Sequence, residues 1–107
     1  MKAFEMADLC QQQADSGNLY LEFLRETSMS LGVYTLEAGA TDPQQPHNED
    51  EVYYVVSGRG QIFVAGENRA VQPGSVVFVA AHAEHYFHHI EETLTLLVFF
   101  APAETDS

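Results

Sequence analysis

The chain has 107 residues, of which 46% are hydrophobic, and this length and composition predict one globular domain. Only four lysines and arginines stand against 16 aspartates and glutamates, so the formal net charge is -12. This charge excludes nucleic acid and anionic membranes as expected partners, because both need cations facing phosphates. It favours cations and neutral molecules instead.

Cys10 is the only cysteine, so no internal disulfide can form. The sequence contains neither a signal-peptide core nor an apolar run long enough for a membrane span. We therefore expect a cytoplasmic protein.

The N-terminal part predicts a short helix. Apolar positions at helical spacing favour an amphipathic helix over Phe4–Gln13, and Asp15–Asn18 is a cluster of helix breakers. We assign residues 1–18 to this helix and its turn, residues 19–101 to a β-domain, and residues 102–107 to a polar C-terminal tail.

The β-domain reads as about eight short strands separated by turns rich in glycine and proline. The predicted strands are Leu19–Glu26, Met29–Glu37, Glu51–Val56, Gln61–Ala65, Arg69–Val71, Ser75–Val79, Glu84–Ile90 and Thr93–Phe100. A loop is predicted over Ala38–Gln45 and a turn over Ser57–Gly60. This spacing predicts an antiparallel sandwich or small barrel and leaves the strand order open.

The segment before the third predicted strand concentrates groups that bind metals. His47 is followed by Glu49, Asp50 and Glu51, and imidazoles and carboxylates are ligands of borderline divalent metals. On an extended segment His47, Glu49 and Glu51 share one face, which Tyr53 continues. The alternative is an acidic, solvated loop that precedes a strand.

The segment Ala38–Phe100 resembles the cupin superfamily. Gly39 precedes His47, Glu51 follows after three residues, and Gly58 follows Glu51 after six. In the second half, Pro73-Gly74 precedes a strand, a loop and His85. The resemblance implies an antiparallel double-stranded β-helix, or jelly-roll barrel, that is commonly packed as a dimer. The apolar first strand is the candidate for a contact with the second copy.

The resemblance also implies a site at the barrel mouth. By it, His47, Glu51 and His85 match the metal ligands, and Gln45 stands where the family has another histidine and becomes the candidate fourth ligand. Glu49 is the reserve carboxylate. Four side chains are expected to line the pocket: Tyr34, Tyr53, Phe87 and His89, the last of which replaces the family's closing asparagine.

Two imidazoles and one carboxylate with open positions suit one divalent iron, zinc, manganese or nickel ion per chain. We expect a metal-binding small cupin and leave open whether it is an enzyme; if it is one, the expected reaction is that of an oxygen-dependent dioxygenase acting on a small organic molecule. The alternatives are a non-catalytic small-ligand-binding cupin with a structural metal, and a metal-dependent isomerase or epimerase. The predicted partners are a small molecule and a second copy of the chain.

Overall fold

One helix and six antiparallel strands make up the computed structural model, which describes residues 1–105. The elements are α1 (Met6–Ser16), β1 (Tyr20–Arg25), β2 (Ser30–Leu36), β3 (Asp50–Val64), β4 (Glu67–Val71), β5 (Val76–Val79) and β6 (His85–Ala101). This confirms the predicted all-β antiparallel class with a short N-terminal helix. Of the predicted tail, Asp106 and Ser107 lie outside the described residues.

The two long strands, β3 and β6, are shared by both layers of the fold. The first half of β3 pairs with β5 and with the end of β6, which in turn pairs with β2. The second half of β3 pairs with β4 and with the start of β6. One sheet therefore runs β1-β2-β6-β3-β5, and the second contains the other halves of β6 and β3 with β4.

The prediction of a turn at Ser57–Gly60 is wrong, because β3 continues through it. The pairing register between β3 and β6 shifts between Val55 and Gln61, which marks β-bulges, and bulges bend a strand without ending it. Gly58 has φ 93°, and a Cβ there would overlap the backbone of Thr93. The two last predicted strands are likewise one strand, β6.

The core lies between the two sheets. Strand residues from both layers are almost completely buried there: Val55, Ile62, Leu94, Leu96 and Val98. Helix α1 packs against β1 and β2 and buries Leu9. Within residues 1–105, no helix is long and apolar enough to cross a membrane.

The outer face of the first sheet carries exposed apolar side chains. Tyr54 of β3 lies opposite Val76 of β5, and Val52 lies opposite Phe78. Directly opposed residues share a face, and Tyr54, Val76 and Phe78 are 39%, 67% and 61% exposed. We call Val52, Tyr54, Val76 and Phe78 the outer apolar patch. Strand β1, by contrast, pairs with β2 of its own chain.

Candidate metal centre

Three of the side chains singled out from the sequence converge at the open end of the two sheets. One ligand atom each from His47, Glu51 and His85 lies within 4.8 Å of the others. Glu51 is the second residue of β3, His85 is the first residue of β6, and His47 belongs to the loop before β3. Glu51 and His85 are each 2% exposed, so strand ends hold two of the three groups away from solvent.

His85 is oriented by the backbone. Its Nδ1 lies 2.9 Å from the carbonyl oxygen of Ala83 and donates to it, because a carbonyl can only accept. The neutral ring then carries its free lone pair on Nε2, which lies 2.9 Å from Glu51 Oε1. Burial lowers the pKa of His85, but the interactions with Glu51 and Ala83 outweigh burial, and the pKa lies above its ordinary value.

The two ring nitrogens of His47 face different groups, and Nδ1 points away from the site. Nδ1 lies 3.1 Å from Glu104 Oε2, whereas Nε2 lies 3.4 Å from Gln44 Oε1. The hydrogen bond to Glu104 raises the pKa of His47 above its ordinary value, burial opposes this, and the charge of Glu51 adds to it.

The glutamine at the site is Gln44 and not Gln45, which corrects the prediction. Gln44 Oε1 lies 3.0 Å from His85 Nε2 and accepts a hydrogen bond from Tyr53 at 2.7 Å. Gln45 is exposed and contributes only to the cavity wall. The loop there is irregular, so the spacing of the family motif does not fix which amide turns inward.

Asp42 determines how the amide of Gln44 is oriented. Gln44 Nε2 donates to Asp42 Oδ2 at 2.7 Å, so Oε1 must face the imidazoles. Asp42 also accepts from the Tyr34 hydroxyl at 2.5 Å and from the Phe87 backbone N–H at 2.9 Å. Sequence reasoning missed Asp42, and its only signal was a carboxylate in the loop between two strands.

The donor set fits a divalent cation. While His85 is neutral, neither oxygen of the buried Glu51 carboxylate has a hydrogen-bond donor, and His85 turns a lone pair towards Oε1 at 2.9 Å. Two acceptors 2.9 Å apart need a proton or a metal between them. The contacts of Gln44 with His85 and His47 are 3.0 and 3.4 Å. Donors sharing one metal through bonds of about 2.1 Å lie about 3.0 to 3.4 Å apart.

Glu49, the reserve ligand, has a different partner. It is 3% exposed, and its Oε2 accepts hydrogen bonds from the Thr105 backbone N–H at 3.2 Å and hydroxyl at 2.7 Å. Glu49 and Glu51 are both buried, as alternation predicts, but Glu49 precedes β3 and its carboxylate lies against Thr105. Glu49 binds the C-terminal segment and not the other donors.

A cavity of about 380 Å³ opens beside the donor set. Tyr34 and Tyr53 line it, together with Tyr20, Val98, Phe100 and Glu104. No lysine or arginine is among its lining residues within the part of the chain that the structure describes. The Tyr20 ring lies against Gly32, where a Cβ would overlap it, and its hydroxyl is buried without a hydrogen-bond partner.

Phe87 and His89 do not line this cavity, which corrects the prediction for both. Phe87 is buried in the core, edge-on to Tyr53 with ring centroids 4.9 Å apart. His89 has φ 48°, which breaks the strand alternation. Its ring is exposed and contacts His88, and Ile90 takes the inward position.

We compared the sequence with a protein-family model and with known proteins. The model of a family described as "Cupin domain" matches residues 32–100. An uncharacterized protein of Streptomyces coelicolor is 52% identical over 105 residues, which covers 98% of this chain and 100% of the relative. Tyr20, Glu104 and Thr105 lie outside the segment that the family model matches.

Two solved structures share the fold. TT1209 from Thermus thermophilus has a TM-score of 0.78 at 23% identity, covering 96% of this chain and 99% of that one. An RmlC-like cupin with a double-stranded β-helix fold from Methanocaldococcus jannaschii has a TM-score of 0.70 at 16% identity, covering 78% of each. The predicted jelly-roll architecture is thereby confirmed.

Proposed function

The chain belongs to the cupin family, and on that premise we propose that it binds one divalent metal ion at the barrel mouth. His47, Glu51 and His85 would hold the ion, with the amide oxygen of Gln44 as the fourth protein donor. The observation that carries the proposal is the buried Glu51 carboxylate, which faces the Nε2 lone pair of neutral His85 at 2.9 Å and then has no hydrogen-bond donor of its own.

The reaction we propose is an oxygen-dependent dioxygenase reaction on a small organic substrate. Two imidazoles and one carboxylate are the ligand set of non-haem iron oxygenases, and bound iron supplies the oxygen chemistry. The chain would supply the rest of the site. Val98 and Phe100 give the cavity an apolar wall, and Tyr20 forms part of the same wall.

Gln44 bears on the alternative of a non-catalytic cupin. Four protein donors complete a tetrahedral zinc sphere of the structural kind, whereas octahedral iron, manganese or nickel would keep positions open. The identity of the metal therefore separates a structural site from one that can bind a substrate. A metal-dependent isomerase or epimerase is the third candidate, and Glu104 in the cavity wall offers it a base.

Elemental analysis of protein purified without added metal tests the proposal. Near-stoichiometric divalent metal is expected, and His47→Ala and His85→Ala should both lose it. His88→Ala is the matched control, since His88 lies outside the donor group and should keep the metal. Metal-free wild type, or metal retained by both site variants, would show that the assignment is wrong.

Oxygen consumption separates catalysis from binding. Iron-loaded protein should consume oxygen when it meets its substrate in a panel of small neutral and cationic organic molecules. A ligand that binds without oxygen uptake at any metal loading would favour the non-catalytic cupin instead.

We also propose that the chain pairs as a cytoplasmic homodimer through the outer apolar patch. Its exposed side chains Tyr54, Val76 and Phe78 carry no charge in a chain of net charge -12. Two copies can therefore bury these apolar side chains against each other. The lone cysteine requires no oxidising compartment.

A further inference from the structure

The segment after β6 folds back over the mouth of the cavity. We call its residues 102–105 the C-terminal strap. Glu104 and Thr105 both form part of the cavity wall. The family model ends at residue 100, so the strap is an addition to the part of the barrel that the model covers.

Several hydrogen bonds fix the position of the strap, among them one from Asn48 Nδ2 to the Thr105 hydroxyl at 3.3 Å. The Glu104 backbone N–H donates to the hydroxyl of the fully buried Ser30 at 2.9 Å. Arg25 Nη2 donates to the Glu104 carbonyl oxygen at 2.6 Å. Thr105 donates to the buried carboxylate of Glu49 through both its backbone N–H and its hydroxyl. These contacts hold the Glu104 backbone from both sides and leave its side chain directed to the cavity.

The side chain of Glu104 meets the outer nitrogen of His47. Glu104 Oε2 lies 3.1 Å from His47 Nδ1, and both side chains are only about one-fifth exposed. A carboxylate can only accept here, so Nδ1 carries the proton. The lone pair of neutral His47 then lies on Nε2, the nitrogen that faces Gln44.

We propose that Glu104 is a positioning residue of the metal centre, which the strap holds against His47 so that Nε2 is free to bind the ion. The inference rests on the proposed metal site. It also gives Glu49 a role, because a carboxylate buried at this point is needed to anchor Thr105. Carboxylates that orient a ligand histidine fix its tautomer and raise its basicity.

The tautomer of His47 can be measured in the metal-free protein by ¹⁵N NMR of the imidazole nitrogens, above the pKa of His47. The wild type should show a proton on Nδ1. In Glu104→Ala the proton should move to Nε2, the tautomer that dominates for histidine in water. Glu104→Gln keeps an oxygen acceptor and should retain the proton on Nδ1.

Metal affinity is the second measurement, made by titration of Co²⁺ against a competing chelator. Glu104→Ala should bind about 10- to 100-fold more weakly than the wild type, the usual effect of losing such a partner. Glu104→Gln should lose less. Glu67→Gln, an exposed residue of β4, removes the same charge away from the site and should bind as the wild type does.

The two measurements distinguish the possible failures. A wild-type His47 with its proton on Nε2 overturns the inference whether or not metal binds. Equal Co²⁺ affinity in Glu104→Ala and Glu67→Gln also overturns it and leaves the metal site intact. If the wild type does not bind Co²⁺ although Nδ1 of His47 is protonated, both the proposed function and the metal-positioning role are wrong. Only the hydrogen bond between His47 and Glu104 would then remain. Circular dichroism of each variant identifies any that fails to fold. If Glu104→Ala fails to fold, the Co²⁺ affinity of Glu104→Gln is compared with that of Glu67→Gln instead.

Discussion

Gln44 and Gln45 are neighbours in the sequence, yet only the amide of Gln44 turns into the donor group. Asp42 holds its Nε2 at 2.7 Å and so presents Oε1 to the imidazoles. We expect Gln44→Ala to weaken divalent metal binding by about 10- to 100-fold, whether the amide binds the ion itself or orients the residues that bind it. Gln45→Ala is the matched control and should leave the affinity unchanged. Chelator competition measures both, and equal losses would contradict the assignment of Gln44.

Tyr20 and Tyr34 make a second matched pair. The Tyr20 hydroxyl is buried with no hydrogen-bond partner, whereas that of Tyr34 donates to Asp42. Because an unpaired buried hydroxyl costs free energy, Tyr20→Phe should leave the ligand-free protein as stable as before or stabilise it by up to about 1 kcal/mol. Tyr34→Phe should destabilise it by about 1 to 3 kcal/mol, since Asp42 loses a donor. Urea unfolding compares the two, and a clear loss of stability in Tyr20→Phe would contradict the prediction.

The motif spacing indicated three residues that the structure brings together, His47, Glu51 and His85, and the last two are held by strands. Glu51 and His85 open β3 and β6, and there the motif spacing, the regular strands and the observed geometry agree. Gln44, Asp42 and Glu104 could not be predicted, because they lie in an irregular loop and in the strap. Their positions depend on long-range hydrogen bonds, such as those from the Glu104 backbone N–H to Ser30 and from the Phe87 backbone N–H to Asp42.

At the scale of elements, Gly58 explains why two predicted strands became one. Its φ of 93° and its contact with the backbone of Thr93 let β3 bend against β6 without ending. A glycine next to an arginine and a second glycine is a typical turn signal, and sequence alone does not separate a turn from a bulge. Only the pairing with β6 decides between them.

Gly58→Ala should therefore destabilise the fold strongly. The substitution adds the cost of a positive φ, about 1 to 2 kcal/mol, to a backbone overlap that requires β3 and β6 to separate. Gly66→Ala has nearly the same φ, 92°, but meets open space, so it should cost only the conformational part. Urea denaturation measures the difference, and equal effects of the two substitutions would argue against the close crossing at Gly58.

At the scale of the whole molecule, the outer apolar patch is the main feature that a single chain leaves without a partner. The sequence showed an apolar strand at Ser75–Val79, but alternation in β5 buries Val79 and exposes Val76 and Phe78. Sequence predicted the barrel class and the helix. It did not predict this patch, because exposure depends on which face of β5 meets the core.

We expect the wild type to run as a dimer in size-exclusion chromatography with light scattering, and Phe78→Asp to run as a monomer. The substituted carboxylates would face each other across the interface and lose the apolar contact. Leu19→Asp changes an exposed apolar residue outside the outer apolar patch and should remain dimeric. A monomeric wild type would show that this patch has another role.

The positions of Glu51 and His85 affect how the protein unfolds. Glu51 pairs with β5 and the end of β6 in one sheet, whereas His85 pairs with Val64 in the other. Their side chains lie 2.9 Å apart at the open end of the barrel, so they connect the two sheets. An ion bound there would stabilise the closed, native arrangement, by an amount that grows with the logarithm of the ion concentration above its dissociation constant. Both layers would then open together, and their backbone amides would exchange with solvent as one cooperative unit.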